Sequence, residues 1–196
     1  MRLHPPEVAV YSQSDDRKQD DGLHSGRGKI MSTSENLQEA FAGESQANRK
    51  YLAFAKQADK EGFKQIARRV RAAAEAETVH AHAHLKVMKG VKSTAENLQA
   101  AIDGEGEEFK EMYPKFVEEA KAEKNPPAVM SFANALAVEE IHHGLYAEAL
   151  ETLKDGKDLE TASIRVCGVC GNTVIGEAPG KCPICGSPAK MFFEVK

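Results

Sequence analysis

The 196-residue chain lacks an excess of basic charge, a long apolar run and a secretory signal. Its formal net charge is −4, so its charge gives no reason to expect a nucleic-acid partner. The longest uncharged stretch, residues 125–138, contains two prolines and is only 14 residues long, too short to cross a membrane. The apolar patch at residues 8–11 is too short for a signal peptide. We therefore expect a cytoplasmic protein that binds neither nucleic acid nor membrane.

Cysteine is absent until position 167, and all four cysteines lie within the last 30 residues. They form two Cys-x-x-Cys pairs, which in a reducing cytoplasm favour a metal site over disulfides. A chain of this length with such a segregated cysteine cluster is typical of one larger domain with a small appendage.

Four segments of different character follow one another along the chain. Residues 1–31 are polar without an apolar period and are predicted to be a disordered extension; translation starting at Met31 is the alternative explanation. Residues 32–156 are predicted to form four amphipathic helices, and residues 157–163 a polar linker. Residues 164–196 are glycine-rich and β-branched, as in a small β module built around a metal.

The helices are predicted from their caps and their apolar period. Ser32 with Glu35, and Ser93 with Glu96, have the form of capping boxes that open the first and third helices. The second helix carries an apolar stripe that runs from Ile66 to Val87 in steps of three and four. Two prolines at 126–127 open the fourth helix.

Carboxylates and histidines interrupt these apolar stripes. Two Glu-x-x-His steps lie on the second and fourth helices, and the spacing places both side chains of each step on one helix face. A glutamate from each of two helices and a Glu-x-x-His from each of two others is the donor set of di-iron bundles. The predicted ligands are Glu44, Glu77, His80, Glu105, Glu108, Glu139 and His142.

Charge balance supports this interpretation, because five carboxylates nearly neutralise two ferrous ions. Without a cation, burial and mutual repulsion would raise their pKa values. Oxygen-rich sites with two imidazoles suit iron or manganese. A single Glu-x-x-His is common on solvated helices, so the prediction depends on the whole set. From spacing alone, His143 could replace His142.

The second predicted site consists of Cys167, Cys170, Cys182 and Cys185. Each pair is followed by a glycine, which allows the backbone amides to turn toward the sulfurs. Four thiolates make a tetrahedral site for zinc or for a single iron. Zinc is the commoner occupant for such spacing and would be structural, whereas iron could carry one electron.

With both sites in place, residues 32–196 resemble the rubrerythrin family. The resemblance is carried by Phe41-Ala-Gly-Glu-Ser-Gln-Ala47, Glu111-Met-Tyr-Pro114, both Glu-x-x-His steps, Glu105-x-x-Glu108 and the cysteine pairs. It implies a ferritin-like four-helix bundle with a non-haem di-iron centre, followed by a rubredoxin-like module with one iron in four cysteines. The implied activity is reduction of hydrogen peroxide to water. Electrons would come from rubredoxin or from an NAD(P)H-dependent reductase.

The resemblance also implies roles for individual ligands. Glu77 and Glu139 are similar to bridging carboxylates, and Glu44 and Glu105 to terminal ones. His142 is similar to the imidazole that stays on one iron.

Four further side chains acquire roles in the same way. Glu108 and His80 resemble an alternating pair of ligands on the iron that His142 does not bind. One of them binds that iron when the centre is oxidised, and the other binds it when the centre is reduced. Together with Glu105 they are the expected catalytic residues. Tyr51 and Tyr113 resemble the phenols that hydrogen-bond to ligand carboxylates.

The predicted loop between the second and third helices is too short for a ferritin-like crossover. Three or four residues reach about 10 to 14 Å, whereas a helix of about 28 residues is roughly 42 Å long. We therefore expect a homodimer in which the first two helices of one chain pair with the last two of the other. The alternatives are an up-down-up-down monomer, an unswapped dimer and a within-chain crossover in which residues 94–104 themselves form the crossing strand.

Two other functions fit parts of the sequence. Ferritin-like centres with these ligands also oxidise and store iron, although a storage protein does not need an electron-carrying module. Alternatively, the cysteine module is a zinc ribbon that binds another protein.

Overall fold

A computed structural model describes residues 32–196, so the predicted disordered extension at 1–31 lies outside the described residues. The predicted fold class, mainly α with a small C-terminal β module, is confirmed. No helix within residues 32–196 is both long and apolar enough to span a membrane. The elements, in chain order, are α1 (Thr33–Lys60), α2 (Lys64–Val87), α3 (Thr94–Glu107), a π-helical turn (Glu108–Met112), α4 (Tyr113–Ala122), α5 (Pro126–Lys154), β1 (Ile164–Cys167), β2 (Thr173–Ile175), a 3-10 turn (Ala189–Met191) and β3 (Phe192–Glu194).

Both predicted capping boxes are present. The Ser32 hydroxyl accepts a hydrogen bond from the Glu35 amide at 3.2 Å, and the Glu35 carboxylate accepts one from the Ser32 amide at 2.7 Å. Ser93 and Glu96 form the same pair of bonds at the start of α3. Such caps satisfy amides that a helix cannot pair internally and contribute about 1 kcal/mol each.

A π-helical turn interrupts the third predicted helix, which sequence reasoning treated as regular. The turn ends where the Tyr113 amide donates to the Glu108 carbonyl, five residues earlier. Pro114 follows immediately and has no amide proton for a bond four residues back, which is a known cause of helix irregularity. The widened turn lies beside Glu105 and Glu108, so it affects how these two carboxylates project.

The helix α1 packs against α2 through small side chains. Ala67, Ala74 and Ala81 of α2 are buried at intervals of seven residues, together with Ala55 of α1. The buried Asn48 side chain donates to the Ala74 carbonyl at 2.7 Å and so joins the two helices. The surface between α1 and α2 is therefore an alanine seam.

The larger apolar side chains of α2 lie elsewhere. Ile66 and Val87, which the sequence pattern placed inward, are 54% and 65% exposed. In α5, Met130 is 63% exposed. The inward stripe predicted for α2 is thus covered only in part within one chain.

The helices form two separate hairpins. The first hairpin is α1 with α2, and the second is α3 and α4 with α5; within residues 32–196, no helix of one hairpin packs along a helix of the other. A four-helix bundle needs four helices around one core. Each hairpin is therefore half of such a bundle.

The C-terminal module is a three-stranded antiparallel sheet in the order β2-β1-β3. Its buried core consists of Cys167, Cys182 and Phe192. The module contacts α5 through β2, and Gly171 lies against the buried Val138 of that helix. This contact brings the cysteine module to the middle of α5.

Candidate metal centres

The first hairpin carries a group of three ligands: Glu44 from α1, and Glu77 and His80 from α2. One ligand atom from each lies within 4.8 Å of the others. His80 Nδ1 is 2.9 Å from Glu77 Oε2 and 3.8 Å from Glu44 Oε1. The spacing of three residues within α2 aims the carboxylate and the imidazole at the same point, as predicted from the helix period.

The second hairpin carries a matching group formed by Glu105 of α3 with Glu139 and His142 of α5. Its ligand atoms also lie within 4.8 Å of one another, and His142 Nδ1 is 2.8 Å from Glu139 Oε2. The His142 side chain is 26% exposed, compared with 55% for His80. Each hairpin thus presents two carboxylates and one imidazole, but the two groups are not in one place within the chain.

The electrostatics of the second group favour a bound cation. Burial, followed by the negative charge of Glu139 and a hydrogen bond with it, raises the pKa of Glu105 to about 7. Burial and the charge of Glu139 also raise the pKa of Glu108. Carboxyl groups crowded in this way are stabilised in their charged form when a metal ion replaces the protons.

The remaining predicted residues are divided between the hairpins: Glu108 and Tyr113 lie near the second group, whereas Tyr51 belongs to α1 of the first hairpin. Glu108 is outside the group but close enough for its charge, after burial, to contribute to the raised pKa of Tyr113. The Tyr51 ring contacts Phe54, and its hydroxyl makes no hydrogen bond within residues 32–196. The structure thus places Tyr113, but not Tyr51, in electrostatic contact with a predicted ligand.

The structure distinguishes His142 from its neighbour His143. His142 is in the ligand group, whereas the His143 ring packs edge-on against Phe109 with the centroids 5.3 Å apart. Gly106 leaves room for His143 on that side of α3. The rotation of α5 against α3 therefore brings His142, and not His143, together with Glu105 and Glu139.

The four cysteine sulfurs are gathered into one group. Cys167 Sγ is 3.8 Å from Cys185 Sγ, and Cys170 Sγ is 3.6 Å from Cys182 Sγ. These separations fit a tetrahedron, whose edges are about 3.8 Å when the metal–sulfur bonds are about 2.3 Å. They are far longer than a disulfide.

The two halves of the cysteine site have the same backbone geometry. The Gly171 amide donates to the Cys167 carbonyl at 2.9 Å, and the Gly186 amide to the Cys182 carbonyl at 3.0 Å. These glycines have φ values of +87° and +74°, which residues with a side chain rarely adopt. The amides that follow these glycines, those of Asn172 and Ser187, hydrogen-bond to the sulfurs of Cys170 and Cys185, which agrees with the role predicted for a glycine after each pair.

Thiol acidity differs among the four cysteines. Hydrogen bonds with the side chain and the backbone of Ser187 lower the pKa of Cys185 to about 6. Burial raises the pKa of Cys170 to about 12. A buried thiol of this kind becomes a thiolate when a metal binds, so loading releases protons.

A contact that sequence reasoning missed joins the cysteine module to the second ligand group. His142 Nε2 lies 3.0 Å from Thr173 Oγ1, and Thr173 is the first residue of β2. Only Gly171 and Asn172 separate Thr173 from the ligand Cys170. No local sequence signal predicts this contact, because it depends on how the module docks on α5.

The donor chemistry fits the metals inferred from sequence. Carboxylates with imidazoles suit iron, and a tetrahedral thiolate set suits iron or zinc. Glu105, Glu139 and His142 offer three donor atoms that could hold one ion, and Glu44, Glu77 and His80 offer three that could hold another.

Comparisons with known proteins agree with this description. The Rubrerythrin family model matches residues 35–150, and that of the rubrerythrin rubredoxin-like domain matches residues 166–193. The chain is 34% identical to Rubrerythrin-2 of Clostridium acetobutylicum, covering 84% of this chain and 97% of that protein. It is 37% identical to a rubrerythrin of Porphyromonas gingivalis, covering 86% and 92%. Among solved structures, the mixed-valence state of nigerythrin aligns at 33% identity with a TM-score of 0.49, covering 88% of this chain and 91% of that one.

Proposed function

The chain belongs to the rubrerythrin family, and we propose that it is a non-haem di-iron peroxidase that reduces hydrogen peroxide to water. The family match and the donor groups confirm the predicted cofactors, a di-iron centre and one iron in four cysteines. The contact between Thr173 and His142 carries the proposal, because it joins a one-electron thiolate site to a carboxylate–histidine site. Iron storage requires no such contact.

The reaction consumes two electrons and two protons for each peroxide and yields two water molecules. Iron held by the carboxylate and histidine ligands would supply two-electron redox chemistry, and iron held by the four cysteines would carry electrons to it from an external donor. We expect that donor to be a rubredoxin or an NAD(P)H-dependent reductase. Glu105 and Glu108, whose pKa values are raised in the metal-free protein, are the groups best suited to hold protons near the reacting oxygens.

Glu108 has a role distinct from the other carboxylates. The group of Glu105, Glu139 and His142 is complete without it. Glu108 is therefore available to the ion held by the opposite hairpin, where it would alternate with His80. The exposure of His80 is consistent with an imidazole that is free to move.

We further propose that the complete centre forms between two copies of the chain. The six residues 88–93 between α2 and α3 reach at most about 25 Å. A ferritin-like crossover must run the length of a helix, about 36 Å for the 24 residues of α2. The in-chain crossover therefore does not fit, and the exposed apolar residues of each hairpin need another partner.

A twofold dimer aligns the two ligand groups. Glu77 lies ten residues before the end of α2, and Glu105 lies eleven residues after the start of α3. These offsets correspond to about 15 and 16 Å on either side of the linker. A twofold axis through the two linkers therefore brings the first group of one chain level with the second group of its partner.

Optical spectroscopy tests the proposed activity. The iron-loaded full chain is expected to show the visible absorption of a ferric tetrathiolate, to lose it on reduction, and to recover it with peroxide much faster than with dioxygen. Preferential recovery with dioxygen, accompanied by growth of a ferric mineral core, would instead identify an iron-storage protein. Zinc in the cysteine site with no redox change in the bundle would identify a binding module.

Substitution of Glu108 tests its assignment. Glu108→Ala is expected to keep the fold and the second ligand group but to lower peroxide turnover by at least about tenfold, since a ligand and proton carrier is lost. Steady-state peroxide consumption and circular dichroism measure the two effects. The matched control is Glu118→Ala, which removes an exposed glutamate from α4. Equal turnover in both variants would refute the role given to Glu108.

A further inference from the structure

We propose that Thr173 is a positioning residue that holds the proton on His142 Nε2 and so presents His142 Nδ1 to the metal. Thr173 belongs to the cysteine module, whereas His142 belongs to α5. The inference rests on the proposed metal centre, but not on which oxidant it reduces.

The direction of the hydrogen bond follows from the surroundings of the hydroxyl. Thr173 Oγ1 lies 3.2 Å from the Gly171 carbonyl, which can only accept, so the hydroxyl proton is directed there. A lone pair of the same oxygen is then directed at His142 Nε2, which lies 3.0 Å from Thr173 Oγ1. His142 Nε2 must therefore carry a proton and donate it to Thr173.

This assignment determines the role of the other ring nitrogen. In a neutral imidazole with its proton on Nε2, Nδ1 has a free lone pair. His142 Nδ1 is 2.8 Å from Glu139 Oε2, and two lone pairs at that distance repel unless a proton or a metal ion lies between them. A metal ion that binds both atoms takes the place of that proton. The pair is therefore arranged to share a metal ion through Nδ1 and Oε2.

The first hairpin lacks an equivalent contact. His80 Nδ1 faces Glu77 in the same way, but within residues 32–196 His80 Nε2 has no hydrogen-bond partner. The cysteine module thus holds the His142 imidazole through Nε2. The His80 imidazole is held only through Nδ1, the nitrogen that faces the predicted metal position. The hydrogen bond to Thr173 is therefore a difference between the second ligand group and the first.

The contact also links module docking to metal loading. The module reaches α5 through β2 and through Gly171, which lies against Val138. A docked module favours the tautomer that binds metal, and by linkage a bound metal favours docking. Partners that hydrogen-bond to a ligand imidazole typically change metal affinity by about 10- to 100-fold.

The test uses the full chain loaded with cobalt(II), whose paramagnetism separates the ring N–H resonances of ligand histidines in proton NMR. We expect the His142 Nε2 proton to exchange with water at least about tenfold more slowly than that of His80, because it is hydrogen-bonded. Thr173→Val keeps the side-chain shape and removes the hydroxyl, so this protection should disappear. Thr173→Ser should restore it.

Cobalt titration provides the second measurement. Thr173→Val is expected to weaken one of the two bundle positions by roughly 10- to 100-fold, with Thr173→Ser close to the wild type. Thr161→Val, in the exposed linker, is the matched control. The cobalt–thiolate absorption reports whether the module remains folded in every variant. A protected ring proton and unchanged affinity in Thr173→Val would overturn the proposal, whatever the protein does with peroxide.

Discussion

Two inactive variants are expected to regain function when they are produced together. The first carries Glu77→Ala with His80→Ala, and the second carries Glu139→Ala with His142→Ala. In the swapped dimer, a mixed pair combines the intact first hairpin of one chain with the intact second hairpin of the other. Random assembly makes half of the dimers mixed and repairs one of their two sites, so about one quarter of wild-type sites should return.

Iron content and peroxide turnover of the co-expressed pair measure this recovery, because each variant alone should have almost none. The control combines the first variant with Glu44→Ala, which damages the same hairpin and should give no recovery in any dimer. Failure of the first mixture to recover, or a monomer with full iron content in analytical ultracentrifugation, would contradict the swapped arrangement.

Removal of one cysteine ligand is expected to stop steady-state turnover while sparing the bundle. Metal binding contributes about 10 to 16 kcal/mol to folding in small four-ligand domains. The module of this protein is short, and its core consists largely of the ligands themselves. Cys182→Ala should therefore unfold the module, abolish its visible absorption and reduce donor-driven peroxide reduction at least about a hundredfold.

The same variant loses the Thr173 contact as well, so it is loaded with excess iron to fill the weakened bundle position. So loaded, it should still reduce peroxide once if its bundle irons are chemically reduced beforehand. Stopped-flow oxidation of the pre-reduced protein and bundle iron content distinguish this outcome from global unfolding. Val169→Ala, an exposed position between two cysteine ligands, is the control and should retain turnover. Donor-driven turnover of Cys182→Ala within tenfold of the wild type would show that electrons bypass the cysteine site.

Local periodicity explains why much of the site was predictable. Glu77 with His80, and Glu139 with His142, are brought together by a helix turn alone. Each Cys-x-x-Cys-Gly step encodes its own backbone turn, as the positive φ of Gly171 illustrates. These features depend on residues within five positions of one another, so the sequence contains their full description.

Other features depend on chain segments that lie far apart in sequence. The rotation of α5 against α3 places His142, rather than His143, beside Glu105 and Glu139. The separation of the hairpins leaves Ile66 partly exposed. The π-helical turn before Pro114 had a local signal that was overlooked, since a proline inside a helix requires some irregularity.

The sequence by itself determined the family, the helical and β parts and the set of predicted metal-binding residues, because each depends on short-range spacing. Only the tertiary structure decided that the ligands form two separate groups on two hairpins. It also decided that Thr173, 31 residues from His142, lies against the imidazole. Such contacts arise from the packing of whole elements, whose relative placement no local pattern encodes.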